Sequence, residues 1–264
     1  MNSLTLATDP GEAAALDAAR TYRTRLAGEL AGRVALLITA ADRAPGAVPD
    51  MHAGLVDFCE RVLLPHTAAE EVTLHAAARG RAGARLLVEG LVAERHRLTG
   101  LVGSLRDAAT PARAAAEARA LQVLLDAHTE KENDLVLPLL AAAPDVSLAG
   151  LVAELRRALP GYGSARPEDD GSPEEDEACC GACTCGARDE PVPELDVRTV
   201  PRAKRHATVI GALDTVRPGG ALELIAPHDP LALLAHIERR SPGRFTVARL
   251  ERGPQDWRLR FSRH

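Results

Sequence analysis

Two copies of one short pattern, His66-x-x-x-Glu70 and His128-x-x-x-Glu132, constrain this chain more than any other feature of it. On an α-helix, residues four apart stack one turn above each other, so each pair aims an imidazole and a carboxylate at one point. Helical phase puts Leu55, Cys59, Val62 and Thr73 on the face of His66 and Glu70. It puts Leu121, Leu125, Leu135 and Leu139 on the face of His128 and Glu132. A carboxylate inside such an apolar stripe is costly unless it meets a cation, a metal or a proton. Two facing copies read as ligands of a metal site in the core of a helix bundle.

The surrounding periodicity supplies the bundle. Long helices are expected over 11–43, with Asp9 as N-cap and Pro10 at N1, and over 51–78, 83–106 and 111–140, where Pro138 limits or kinks the last turn. A shorter helix is expected over 148–158. Four long amphipathic helices with short connections make an all-α up-down four-helix bundle the economical arrangement for residues 1–162. From 163 to 193, Pro, Gly, Ser and acidic residues replace apolar ones, as in a linker. Residues 194–264 then alternate as β-α-β-α-β-β, with strands expected over 194–200, 221–226, 245–251 and 257–262. That order makes a small α/β two-layer sandwich, and the chain as a whole multi-domain.

A bundle-core site of two metals needs inward ligands from all four helices, and at about 100° per residue the phase of the other two shows what they can offer. Leu87, Leu91, Leu98, Val102 and Leu105 define the buried face of the third helix. His96 lands opposite that face, whereas Glu94 and, obliquely, Arg95 point inward. The first helix has no histidine; Arg23 falls within its stripe of Leu16, Leu30 and Val34, and Tyr22 at the border. His75 and Glu71 fall off the buried face of the second helix.

With these residues in place, 11–158 resembles the hemerythrin-like (HHE cation-binding) family, whose pattern is His, His-x-x-x-Glu, His and His-x-x-x-Glu on successive helices. The resemblance carries the family's metal ligands to His66, Glu70, His128 and Glu132. Where the remaining two histidines are expected, the chain reads Thr21-Tyr22-Arg23 and Glu94-Arg95-His96. Three arrangements stay open. A di-iron centre would re-aim His96 and recruit Tyr22 or Glu94. A mononuclear site needs only the two His/Glu pairs, and iron, zinc or manganese suits it. Without metal, Arg23 and Arg95 would neutralise Glu70 and Glu132 as bidentate ion pairs.

Four of the five cysteines, Cys179, Cys180, Cys183 and Cys185, fall in the linker within seven residues. Zinc ribbons space two pairs a dozen or more residues apart, so this cluster reads as a soft-metal or thiol redox patch, or as a reactive stretch with no ligand. Residues 194–264 resemble a TusA-like domain of unknown function through Leu195-Asp196-Val197-Arg198, Arg205-His206, Leu222-Glu223-Leu224, His228-Asp229-Pro230 and Gly253-Pro254 with Trp257. Sulfur carriers of that type have Cys-Pro after the first strand; Val200-Pro201 stands there instead. His206 and His228 make a candidate ligand site, and Asp229 is expected to N-cap the following helix with Pro230 at N1.

The net charge of −5 and dispersed Lys and Arg give no nucleic-acid footprint. No apolar run approaches a membrane span and no signal-peptide core opens the chain, so a cytoplasmic protein is expected. There is neither a nucleophile–base constellation nor a phosphate loop. The expected function is a non-enzymatic metal-binding or sensing protein with O2, NO or redox state as input. The alternatives are a metal-free scaffold that binds a partner through its C-terminal domain, or a thiol redox or sulfur-handling protein acting through the linker cysteines.

Overall fold

The computed structural model describes residues 10–159 and 192–264. The expected N-cap at Asp9 and the cysteine cluster Cys179–Cys185 lie outside the described residues. Helix α1 spans Pro10–Arg43. Helix α2 is continuous over 48–79, but two of its turns, Cys59–Leu63 and Glu71–His75, are π-helical. Helix α3 is Arg85–Arg106. Helix α4 covers 111–141, with a π turn at Glu132–Val136, and α5 is Leu148–Ala158.

Local chemistry accounts for the ends. Thr110 caps α4 by accepting from the Arg113 amide at 3.2 Å, with Pro111 in the first turn. Ser147 caps α5 by accepting from the Gly150 amide at 3.0 Å. The same end is held from a distance by the buried Glu12 of α1, which accepts from Ser147 Oγ at 2.9 Å and from the Ala149 amide at 3.2 Å. A carboxylate there also suits the positive end of the helix dipole.

The π turns have a cause and a consequence. Pro65 and Pro138 come two residues after the ends of two of them, and a widened turn relieves the clash of a proline ring with the carbonyl four residues earlier. Each π turn adds a residue, which shifts everything after it by about 100° around the helix. Hence Val62 and Leu135, expected in the apolar stripes, are 37% and 50% exposed, and Leu63 and Val136 are buried instead.

The C-terminal region is a mixed four-stranded sheet carrying two helices: β1 Glu194–Asp196, α6 Arg202–Thr215, β2 Ala221–Ala226, α7 Leu231–Arg240, β3 Phe245–Arg252 and β4 Trp257–Arg263. Strand order is β1-β2-β4-β3, with β1 and β2 parallel and the other pairs antiparallel. Strand β1 ends earlier than its alternation suggested, because the chain turns after Val197 towards α6.

One apolar core runs from Leu30, Leu37 and Leu55 of the bundle to Leu213, Leu224 and Phe261 of the α/β region. The junction is a close crossing of α1 and α6. A Cβ at Gly32 would lie 1.9 Å from the Thr208 carbonyl oxygen, and one at Gly211 2.2 Å from that of Glu29. Polar ties flank it: Arg33 stacks over Phe58 at 4.1 Å and meets Asp214 at 3.3 Å, and Lys204 donates to Asp126 at 2.7 Å. No helix among the described residues is long and apolar enough to cross a membrane.

Candidate metal centre

The four residues of the repeated motif are all buried in the bundle: His66 2%, Glu70 1%, His128 1% and Glu132 2% exposed. Between the two carboxylates stands Arg23 of α1, itself 2% exposed. Its Nη2 meets Glu70 Oε1, and its Nε donates to Glu132 Oε2 at 3.2 Å. One guanidinium thus serves both carboxylates. The expected second arginine does not: Arg95 pairs with Glu71 near the surface, since the π turn after Glu70 carries Glu71 round to the α3 side.

The structure also brings in a histidine that helical phase had put elsewhere. His75, five residues after Glu70 and at the end of the π turn, is 1% exposed. Its Nε2 lies 2.8 Å from Glu132 Oε1, and its ring meets that of His128 edge-on at 6.1 Å. Taking 3.6 residues per turn through the whole of α2 hid it. The prolines and the five-residue step from Glu70 to His75 were the available signals.

Of the other candidates, Glu94 joins the site and His96 does not. Glu94 accepts from His128 Nδ1 at 3.1 Å and from Lys131. His96 is exposed and touches the Arg95 side chain, as the third-helix phase requires. The Tyr22 ring lies tilted against that of His66, 5.0 Å between centroids, so it borders the cluster. Of the C-terminal candidates, His206 and His228 both line one cleft. Asp229 does not cap α7: Pro230 occupies the cap position, and the Asp229 carboxylate faces Arg249 at 3.8 Å.

Charge in the cluster is set by these contacts. Burial alone would raise the Glu132 carboxyl, but Arg23, then His128 and His75, hold it well below the usual carboxylate range. Glu70 is lowered as well, burial and Glu132 opposing and Arg23 and His66 prevailing. His128 goes the other way. Burial lowers it, yet Glu132, Glu70 and Glu94 raise it from 6.5 to about 9.

His75, His128 and Glu132 each offer a ligand atom within 4.8 Å of the other two. Among the described residues this is the group of His, Cys, Asp and Glu side chains close enough to share a metal ion. Residues 25–140 match the Hemerythrin HHE cation binding domain. Residues 194–263 match the family described as an uncharacterized conserved protein (DUF2249). No curated protein and no solved structure matches the chain.

The side chains within the HHE match fit a cation on their own evidence. His128 Nε2 and His75 Nδ1 are buried without a hydrogen-bond partner. His66 Nε2 approaches Glu70 Oε1 to 3.1 Å without the alignment of a hydrogen bond. Buried polar atoms left this way are costly, and a cation held among His75, His128 and Glu132 would offset that cost there. In the neutral ring that binds a metal, with Nδ1–H donated to Glu94, Nε2 of His128 is the lone-pair atom facing Glu132. A carboxylate behind a histidine in this way is the usual support of a metal ligand.

Proposed function

We propose that the chain is a non-enzymatic metal-binding sensor whose bundle holds one cation on His75, His128 and Glu132, with Arg23 in place of a second metal. The HHE match supports metal binding or sensing. The proximity of three donors, two imidazoles and a carboxylate, carries the rest. Such a set with open positions suits iron(II), with zinc and manganese as further candidates. When bound, iron there supplies a place for O2 or NO, or registers a one-electron change. The ligands are between 1 and 2% exposed, so the input reaching them is small. In this reading Glu94 fixes the tautomer of His128, and Arg23 keeps Glu70 and Glu132 ionised.

A metal-free scaffold is the second reading, and Arg23 favours it, because its guanidinium already meets both carboxylates. The C-terminal region, read as TusA-like, would then recognise a partner; with Val200-Pro201 in place of Cys-Pro, the residue at that position has no thiol to carry sulfur.

Anaerobic loading with iron(II), followed by metal analysis and optical spectra under air and dithionite, decides among them. One iron per chain, with a melting temperature that falls on chelation, is expected. Two irons with an oxo-bridge band would restore the full centre. No iron, with melting indifferent to chelator, would leave the scaffold.

A further inference from the structure

A cleft of about 350 Å³ opens in the α/β region at the carboxyl ends of the parallel strands β1 and β2. Crevices at that position, where helices follow strands, are where open α/β sheets take ligands. The cleft is lined on one side by Arg202, Arg205 and His206 of α6, and on the other by His228 and Asp229, which follow β2. Val209, Leu224 and Leu233 give it an apolar floor.

The charge is one-sided. Arg202, His206 and His228 make no hydrogen bond or ion pair with the described residues. Arg205 is anchored in place, its Nε donating to the Val200 carbonyl at 2.8 Å and its Nη2 to that of Arg198 at 3.1 Å. The single carboxylate, Asp229, has Arg249 3.8 Å away to offset it. Helices α6 and α7 both start at this cleft, after Pro201 and Pro230, and neither start has a capping side chain. Their first amides add positive potential to that of the side chains. Among the described residues, the group of potential ligands close enough to share a metal ion lies in the bundle and not here.

We propose that this cleft binds a small organic anion, a phosphate or carboxylate group seated between Arg202, Arg205 and the two histidines, with a short apolar body over Val209, Leu224 and Leu233. The cleft volume suits a molecule of one ring or a short chain. The binding is separate from the metal centre and stands or falls without it.

The full-length protein is titrated with phenyl phosphate, phenylacetate, inorganic phosphate and benzyl alcohol, followed by the imidazole NMR signals of His206 and His228 and by calorimetry. Phenyl phosphate or phenylacetate is expected to bind and move both histidines, more tightly than inorganic phosphate, and benzyl alcohol to leave them unmoved. Arg202→Glu, at an exposed position, is expected to weaken the organic anions about tenfold or more with unchanged melting. His228→Gln should weaken them as well. Failure of both organic anions to move the histidines, or equal binding by Arg202→Glu, would overturn the proposal. Inorganic phosphate binding as tightly as phenyl phosphate would overturn its apolar part.

Discussion

His75 Nε2 lies 2.8 Å from Glu132 Oε1, a contact between α2 and α4 that exists only because α2 makes a π turn after Glu70. Without the extra residue of that turn, His75 would face about 100° away. The contact therefore ties a backbone irregularity to the ligand set. His75→Ala should abolish cation binding, whereas His96→Ala, at an exposed position, should leave it intact. Glu94→Gln, which keeps the shape but weakens the support of His128, should cost about 10–100-fold in affinity. Competition against a chromophoric chelator measures all three, and undiminished binding by His75→Ala would sink the assignment.

Arg23 carries a second prediction, about pH. Glu70 and Glu132 have lowered folded-state values, so their contribution to stability is full above the ordinary carboxylate range and fades as pH falls through those values. His128, raised to about 9, contributes fully below 6.5 and loses that contribution as pH rises from there through 9. The metal-free protein should be most stable from mildly acidic to neutral pH and decline on both sides. Arg23→Met leaves two buried carboxylates facing each other and should cost about 3–5 kcal/mol at neutral pH. That loss should shrink on acidification, as protonation removes the repulsion. Urea unfolding across the pH range tests both, and a pH-independent loss in Arg23→Met would contradict the ion-pair account.

How far the sequence could be read follows from the same residues. The long helices and the order of strands were legible, because their apolar periods are regular and Pro, Gly and capping Thr or Ser mark their ends. Arg23 was legible as well, since α1 keeps a constant phase up to it. Beyond Cys59 and beyond Glu132 π turns reset the phase, so a constant 3.6-residue period misplaces Val62, Leu135 and His75 and hides that Glu71 comes round to pair with Arg95. The second buried face of α1 was also invisible. It is built from Ala27, Gly28, Gly32 and Leu36, and glycine carries no hydrophobic signal although it sets how near α6 can approach.

Cys59 allows a check on the core around the first π turn. It is fully buried, and burial raises its thiol from 9.0 to about 12, with Arg33 opposing. A thiol that stays protonated and covered does not react. In a variant with Cys179, Cys180, Cys183 and Cys185 changed to Ser, a thiol reagent should find nothing at neutral pH until denaturant is added, and then one group per chain. Prompt labelling without denaturant would show that the turn opens.

The crossing of α1 and α6 gives the last prediction, in which two glycines respond with opposite sign. At Gly32 an added Cβ would meet the Thr208 carbonyl at 1.9 Å and the Ala212 amide nitrogen at 2.8 Å, both backbone. Backbone cannot rotate aside, so Gly32→Ala must push the helices apart and loosen the core shared by bundle and sheet. A loss of about 1–3 kcal/mol or more is expected. Gly54, inside the first α segment of α2, has nothing within 4 Å of the same atom. There alanine only restricts the unfolded chain and favours helix, so Gly54→Ala should gain about 0.5–1 kcal/mol. Denaturation midpoints of the two variants measure the difference. If Gly32→Ala matched the unsubstituted protein, α1 and α6 could not be packed as closely as the junction requires. The C-terminal region would then be free of the helix that carries Arg23.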